Sequence, residues 1–217
     1  MNLSPDEVLT TTRAVRKRLD YDRPVDPELI KQCLTIALQA PSGSNRQGWQ
    51  FVVIGDPDVR ARVSALYRES FAVYAATPGA GGSPTTEQRR DDVRSSAQYL
   101  ADTMHRAPYL LIPVAKGRAE RLSRTEQQAA FWGSVTPALW SFMLAARARG
   151  LGTAWTTLHL VYEKEVADIL GIPYERYTQI ALTPIAHTIG TDFKPAAREP
   201  LESVTHWITG SSGRANH

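Results

Sequence analysis

Leu29, Ile30, Cys33, Leu34, Ile36, Ala37 and Leu38 lie on one broad helical face that begins at Asp26-Pro27-Glu28 and ends before Pro41. A largely apolar run at 49–54 follows, broken only by Gln50 and bounded by Gly48 and by Gly55-Asp56-Pro57, and predicts a strand. Helical spacing returns at Val59, Val63, Leu66 and Tyr67, and a charged stretch predicts another helix over 87–104. Residues 109–115 predict a second buried strand, in which Pro113 argues for a sheet edge or a bulge. Leu139, Phe142, Met143 and Ala146 predict a long helix over 131–149 closed by Gly150, with Thr136-Pro137 as a restart or kink. A short strand or extended turn at 151–157, a helix at 163–170 stopped by Gly171-Ile172-Pro173, and a strand at 177–186 complete the order. At the N-terminus Ser4-Pro5-Asp6-Glu7 spells a capping box with proline at the first helical position.

Between the elements, residues 68–88 combine Phe71, Tyr74 and a Gly/Pro-rich run, which predicts a flap. Residues 191–217 form a polar tail with Trp207 that wraps its own domain or crosses to a second subunit. With 217 residues, 42% of them hydrophobic, the chain is expected to form a single domain. Its net charge of +3 favours no charged partner strongly. The lone Cys33 excludes an intrachain disulfide and suits a reducing compartment. The absence of a leader pattern, and of a stretch near eighteen apolar residues, leads us to expect a soluble cytoplasmic protein with no membrane contact.

Two polar segments carry candidate chemistry. Arg13, Arg16, Lys17 and Arg18 crowd one turn, a density that suits a phosphate because guanidinium forks pair with its oxygens; a solvated basic face is the alternative. Ser42, Ser44, Asn45 and Gln47 follow Pro41 in a loop that either lines a ligand pocket or satisfies its own backbone. The histidines show no metal-ligand spacing, and the chain offers neither a helix-turn-helix nor an aromatic platform for nucleic acid.

The Arg13-Ala14-Val15-Arg16 turn, the Ala-Pro-Ser-Gly-Ser-Asn-Arg-Gln-Gly-Trp loop at 40–49, Gly150-Leu151-Gly152-Thr153-Ala154-Trp155, Leu170-Gly171-Ile172-Pro173 and Arg198 together resemble the FMN-dependent nitroreductase family in order and spacing. The resemblance implies an α+β fold, a mainly antiparallel sheet of four or five strands flanked by helices, assembled as an intertwined homodimer with FMN at the interface. By position it makes Arg13, Arg16 and Arg198 the phosphate cations and Ala14 and Val15 backbone contacts, with Lys194 a substitute for the basic residue that Ala196 replaces. Pro41, Ser42, Asn45 and Gln47 become the other subunit's share, and Trp155, Thr156 and Thr157 the segment along the ring, with a backbone N–H near flavin N5. Ala14 stands where the family often has serine, and Gly48 where it usually has proline.

The activity so implied is hydride transfer from NADPH or NADH through FMN to a nitroaromatic, quinone or similar small acceptor, in two ping-pong half-reactions. No side chain is needed as a catalytic acid, base or nucleophile. A flavin-sequestering protein of the same fold is the alternative. Tyr67, Phe71 and Tyr74 are candidates to stack on the acceptor, and Arg89, Arg90 or Arg94 to meet the dinucleotide.

Overall fold

A computed structural model describes residues 2–77 and 87–208, with 87–90 described by backbone alone. At its centre lies β3 (Tyr109–Lys116), antiparallel to β2 (Trp49–Ile54) along one side. Its other side pairs with β6 (Thr183–Thr188) at residues 109–111 and with β5 (Tyr177–Gln179) at residues 114–116. Two short strands, β1 (Leu19–Asp20) and β4 (Leu151–Thr153), also pair antiparallel with β6. The sheet therefore has six strands rather than four or five. The run at 177–186 divides into two strands because Leu182 leaves the ladder to exchange backbone hydrogen bonds with Thr156.

Pro113 sits in the central strand, not at an edge. Its carbonyl accepts from the Ile180 N–H at 2.9 Å, and in an antiparallel strand a residue's N and O face the same neighbour. Its missing N–H therefore points into the change of partner between β6 and β5, where the ladder has no need of it.

Side-chain alternation along β3 divides the core. Leu110, Ile112 and Val114 face Val63, Tyr67 and Phe71 of α3 (Pro57–Ala76), Leu100 of α4 (Glu87–Thr103) and Val166 of α6 (Glu163–Leu170). Leu111 faces Ile30 and Cys33 of α2 (Pro27–Ala37) and Leu139, Phe142 and Met143 of α5 (Thr125–Ala148). Helices thus cover both faces of a mainly antiparallel sheet. Short helices, α1 (Pro5–Thr11) and α7 (Leu201–Val204), lie near the ends, and α1 carries the expected capping box at Ser4 and Glu7.

Four expectations are corrected. Helix α3 continues to Ala76, because Val63, Tyr67, Ser70 and Phe71 keep one face buried; residues 68–76 are helix, and the run from Pro78 to Pro84 lies outside the described residues. Tyr67 and Phe71 are each 3% exposed and so cannot stack on an acceptor from a flap, and Arg94 donates to the Ala75 carbonyl, while the Arg89 and Arg90 side chains lie outside the described residues. Helix α5 begins at Thr125 and runs through Pro137, whose ring frees the carbonyl of the exposed Gly133 to water. By length and composition α5 could cross a membrane, contrary to the expectation of no such stretch. One side of it, through Val135, Leu139 and Phe142, is core, whereas Trp132 and Trp140 stay exposed on the other.

Candidate functional site

The basic turn is built onto the edge of the sheet. Val15 donates its N–H to the Thr153 carbonyl at 2.8 Å, Ala14 forms a parallel bridge to Thr153, and the side chains of Val15 and Leu19 enter the core. This close approach depends on Gly152: a Cβ there would lie 2.8 Å from Leu19 Cδ2 and 3.1 Å from Val15 Cγ1. Residues 13–16 are thereby fixed beside the start of the segment 154–157.

The four cations then separate by role. Arg18 donates to the Ile189 carbonyl and to Asp192 at 2.5 Å, and Lys17 donates to Ser95 Oγ at 2.8 Å. Arg13 is exposed and donates at 3.3 Å to the carbonyl of Lys194, which is how the tail joins the site. Arg16 is half-buried and, among the described residues, its guanidinium has no hydrogen bond or ion pair. Burial pulls its pKa below the ordinary value, the nearby Tyr67 opposes this, and Arg13 adds to it. An uncommitted guanidinium held partly away from water suits an anion. The Tyr67 hydroxyl is pushed up to about 12, chiefly by burial, with Arg16 and Thr156 opposing the rise. Sequence reasoning placed Tyr67 at the end of the helix and offered it to the acceptor; its i, i+4 relation to Val63 and Phe71 was the available sign of a core position.

Along that segment the side chains diverge. Trp155 packs with Trp49, Phe51 and Ile180 on the α5 face, while Thr156 is buried and bonded to Leu182. With the Thr156 N–H spent on Leu182, the neighbouring Thr157 N–H is exposed and without a protein partner among the described residues. The tail is anchored by Phe193, which lies 4.2 Å beneath the Arg18 guanidinium and 4.8 Å from that of Arg147. Beyond it Lys194 and Arg198 are exposed, and Arg198 donates to its neighbour's carbonyl at Ala197.

The polar loop stands apart from the turn: among the described residues no hydrogen bond or ion pair joins residues 41–47 to residues 13–16. Ser44, Asn45 and Gln47 adopt φ of 53°, 52° and 47°, a left-handed conformation that costs about 1 kcal/mol or more at each non-glycine position. Local bonds hold it: Gln47 N–H to Ser42 Oγ, Gln47 Nε2 to Asn45 Oδ1, and Gly43 N–H to Ser134 Oγ of α5. Pro41 and Asn45 are exposed and Ser42 is half-buried. Loop and α5 enclose a groove of about 520 Å³, floored by Trp49, Phe131 and Val135 and rimmed by Arg46 and Lys116.

Below the groove lies a buried ion pair not anticipated from the sequence. Arg118, almost wholly buried, donates to both carboxylate oxygens of Glu163 at 3.0 and 2.8 Å and to Glu120 at 2.7 Å, and its guanidinium lies 3.9 Å from the Tyr174 ring. Burial alone would lower its pKa, but the hydrogen bonds to Glu163 and Glu120 outweigh that and raise it. Among the described residues no group of three potential metal ligands occurs.

The profile described as the nitroreductase family matches residues 9–187. The chain is 26% identical over 121 residues to an iodotyrosine deiodinase of Haliscomenobacter hydrossis, spanning 52% of this chain and 52% of that protein, so that match covers about half of the relative's length. It is 27% identical over 218 residues to an NADH dehydrogenase of Thermus thermophilus, covering 92% of this chain and 97% of the relative. Among solved structures, an FMN-dependent nitroreductase of Mycobacterium smegmatis in complex with NADPH superposes with a TM-score of 0.69 at 20% identity, covering 94% of this chain and 97% of that one.

Proposed function

Because the chain belongs to the nitroreductase family, we propose that it is a cytoplasmic, homodimeric FMN oxidoreductase that takes hydride from NADPH or NADH and reduces a nitroaromatic, quinone or similar electron-poor acceptor. When bound, FMN supplies the chemistry: it accepts hydride at N5 in one half-reaction and gives it up in the next. The observation that carries the reading is Arg16, a half-buried cation with no protein counter-ion among the described residues, beside a turn fixed to the sheet edge.

In this reading Arg16 and Arg13 hold the phosphate, with the backbone at Ala14 and Val15 alongside them. Lys194 and Arg198 approach it from the tail that Phe193 anchors. The unpartnered Thr157 N–H is the donor offered to N5, and Trp155 and Thr156 hold that donor in place from opposite sides of the segment. Pro41, Ser42, Asn45 and Gln47 serve the partner subunit's flavin, which accounts for their separation from Arg16 within one chain. The exposed Trp132 and Trp140 of α5 supply apolar surface for the subunit contact.

Titration of the apoprotein with FMN and with riboflavin tests the assignment, because riboflavin lacks the phosphate. Arg16→Ala should weaken FMN roughly 10- to 100-fold, in line with the loss of charge-assisted hydrogen bonds, while changing riboflavin binding little. Equal affinities for the two flavins in the unmodified protein would refute the phosphate assignment.

A further inference from the structure

We infer that the groove between residues 43–48 and α5 selects a small, flat aromatic acceptor bearing a carboxylate, with Arg46 and Lys116 holding the carboxylate. The inference rests on the reading above, in which this loop borders the partner's flavin. Its support lies in the groove itself. The volume of about 520 Å³ is in the range of small-ligand pockets. Trp49, Phe131 and Val135 provide an apolar floor on which an aromatic ring can lie.

The charges along the lining are not balanced. Arg118 is neutralised by Glu163 and Glu120, and Arg124 is paired with Glu126 at 2.6 Å. The side chains of Arg46 and Lys116 have no hydrogen bond or ion pair among the described residues. Glu126, the one carboxylate of the lining, is the partner of Arg124. The local field is therefore positive. Lys116 and the loop are also held together, since the Lys116 N–H donates to the Gly48 carbonyl at 2.9 Å. The two free cations thus flank an apolar floor, an arrangement that favours an anionic ring over its neutral isostere.

The test compares 4-nitrobenzoate with the isosteric, uncharged 4-nitrobenzamide on the FMN-loaded protein. Binding is read by tryptophan fluorescence quenching and calorimetry, and reoxidation of the reduced protein by stopped-flow. We expect the carboxylate to bind about tenfold more tightly and to show the lower KM, with the preference shrinking as salt is raised. In the double variant Arg46→Gln/Lys116→Gln the preference should vanish while FMN content stays the same. Equal binding of the two probes, a preference that survives in the double variant, or a variant that alters only the step with NAD(P)H would each overturn the inference. Selective, Arg46-dependent binding of the carboxylate by a protein that takes up no FMN would instead overturn the proposed function and leave the groove assignment standing.

Discussion

The basic turn and the polar loop are both short, hydrophilic and next to a strand, yet the fold treats them in opposite ways. The turn at 13–18 is pinned by a backbone bond to Thr153, by two side chains in the core and by a glycine that lets it approach. The loop at 41–48 touches the core only through its ends, is largely exposed, and carries three non-glycine residues at positive φ. One chain therefore completes the turn, whereas the loop stores backbone strain that nothing within the chain exploits. Under the proposed function that asymmetry suits a site shared between two subunits, with the turn as a finished anion grip and the loop as an unfinished rim.

The comparison breaks most severely if the ion pair that lines the groove is removed. Arg118→Ala leaves Glu163 partly buried without its partner and should cost about 3–5 kcal/mol, lowering the melting temperature by roughly 10 °C. Replacing both buried partners, as in Arg118→Met/Glu163→Leu, should cost less because the only charge left unpaired, Glu120, is exposed to water. Thermal unfolding of the two variants decides this. If the single variant melted like the unmodified protein, the ion pair would not be what secures the groove floor.

Acid sharpens the other side. His159 is fully buried, neither ring nitrogen has a hydrogen-bond partner among the described residues, and burial drives its pKa from 6.5 down to about 3. Between those values the unfolded chain binds a proton that the folded chain does not. Stability from this group is thus complete above pH 6.5 and is lost as pH falls towards 3, at about 1.4 kcal/mol per pH unit. Urea titrations from pH 7 to pH 4 on the unmodified protein and on His159→Leu should diverge by that slope; parallel curves would mean that the ring finds a partner on protonation.

Gly152→Ala acts on the turn directly. The new methyl must displace Leu19 and Val15, a cost of about 1–3 kcal/mol, and because those side chains fix residues 13–16, FMN affinity should fall together with stability. Measured by denaturation and flavin titration, a loss of stability without a loss of affinity would uncouple the turn from the site.

Much of this was legible in the sequence, and unevenly so. Strand β2 and helix α6 lie where periodicity and turn residues put them, at 49–54 and 163–170. The capping box needed only four residues. What failed was nonlocal. Pro113 signals an edge in isolation, but its meaning depends on where two distant strands meet its flank. Phe71 reads as a loop aromatic beside a Gly/Pro-rich run, and Tyr67 as a ring at the end of a helix free to stack, until the burial of α3 is known. The crowding of Arg13, Arg16, Lys17 and Arg18 in one turn was legible as charge density, whereas the sorting of those cations into structural and uncommitted ones depends on Asp192, Ser95 and Ile189, far along the chain. Arg118 offered only Glu120 nearby, since the carboxylate that pairs with both of its terminal nitrogens, Glu163, is 45 residues away.

The smallest expected effect falls on the loop. Gly43 donates its N–H to Ser134 Oγ at 3.0 Å, and the same hydroxyl donates to the Ala130 carbonyl at 2.6 Å, so one side chain ties the loop to α5. Ser134→Ala removes both bonds from a half-exposed position, where water replaces them in part, and should cost about 1 kcal/mol or less in global stability. Local opening is a different matter. The strained φ angles at Ser44, Asn45 and Gln47 favour release once the tie is lost, so amide exchange should quicken across residues 43–48 while the amide of Val15, bonded to Thr153, keeps its protection. Exchange that rises equally in both places would show the loop and the turn to be one cooperative unit, and the division of labour between them would fall with it.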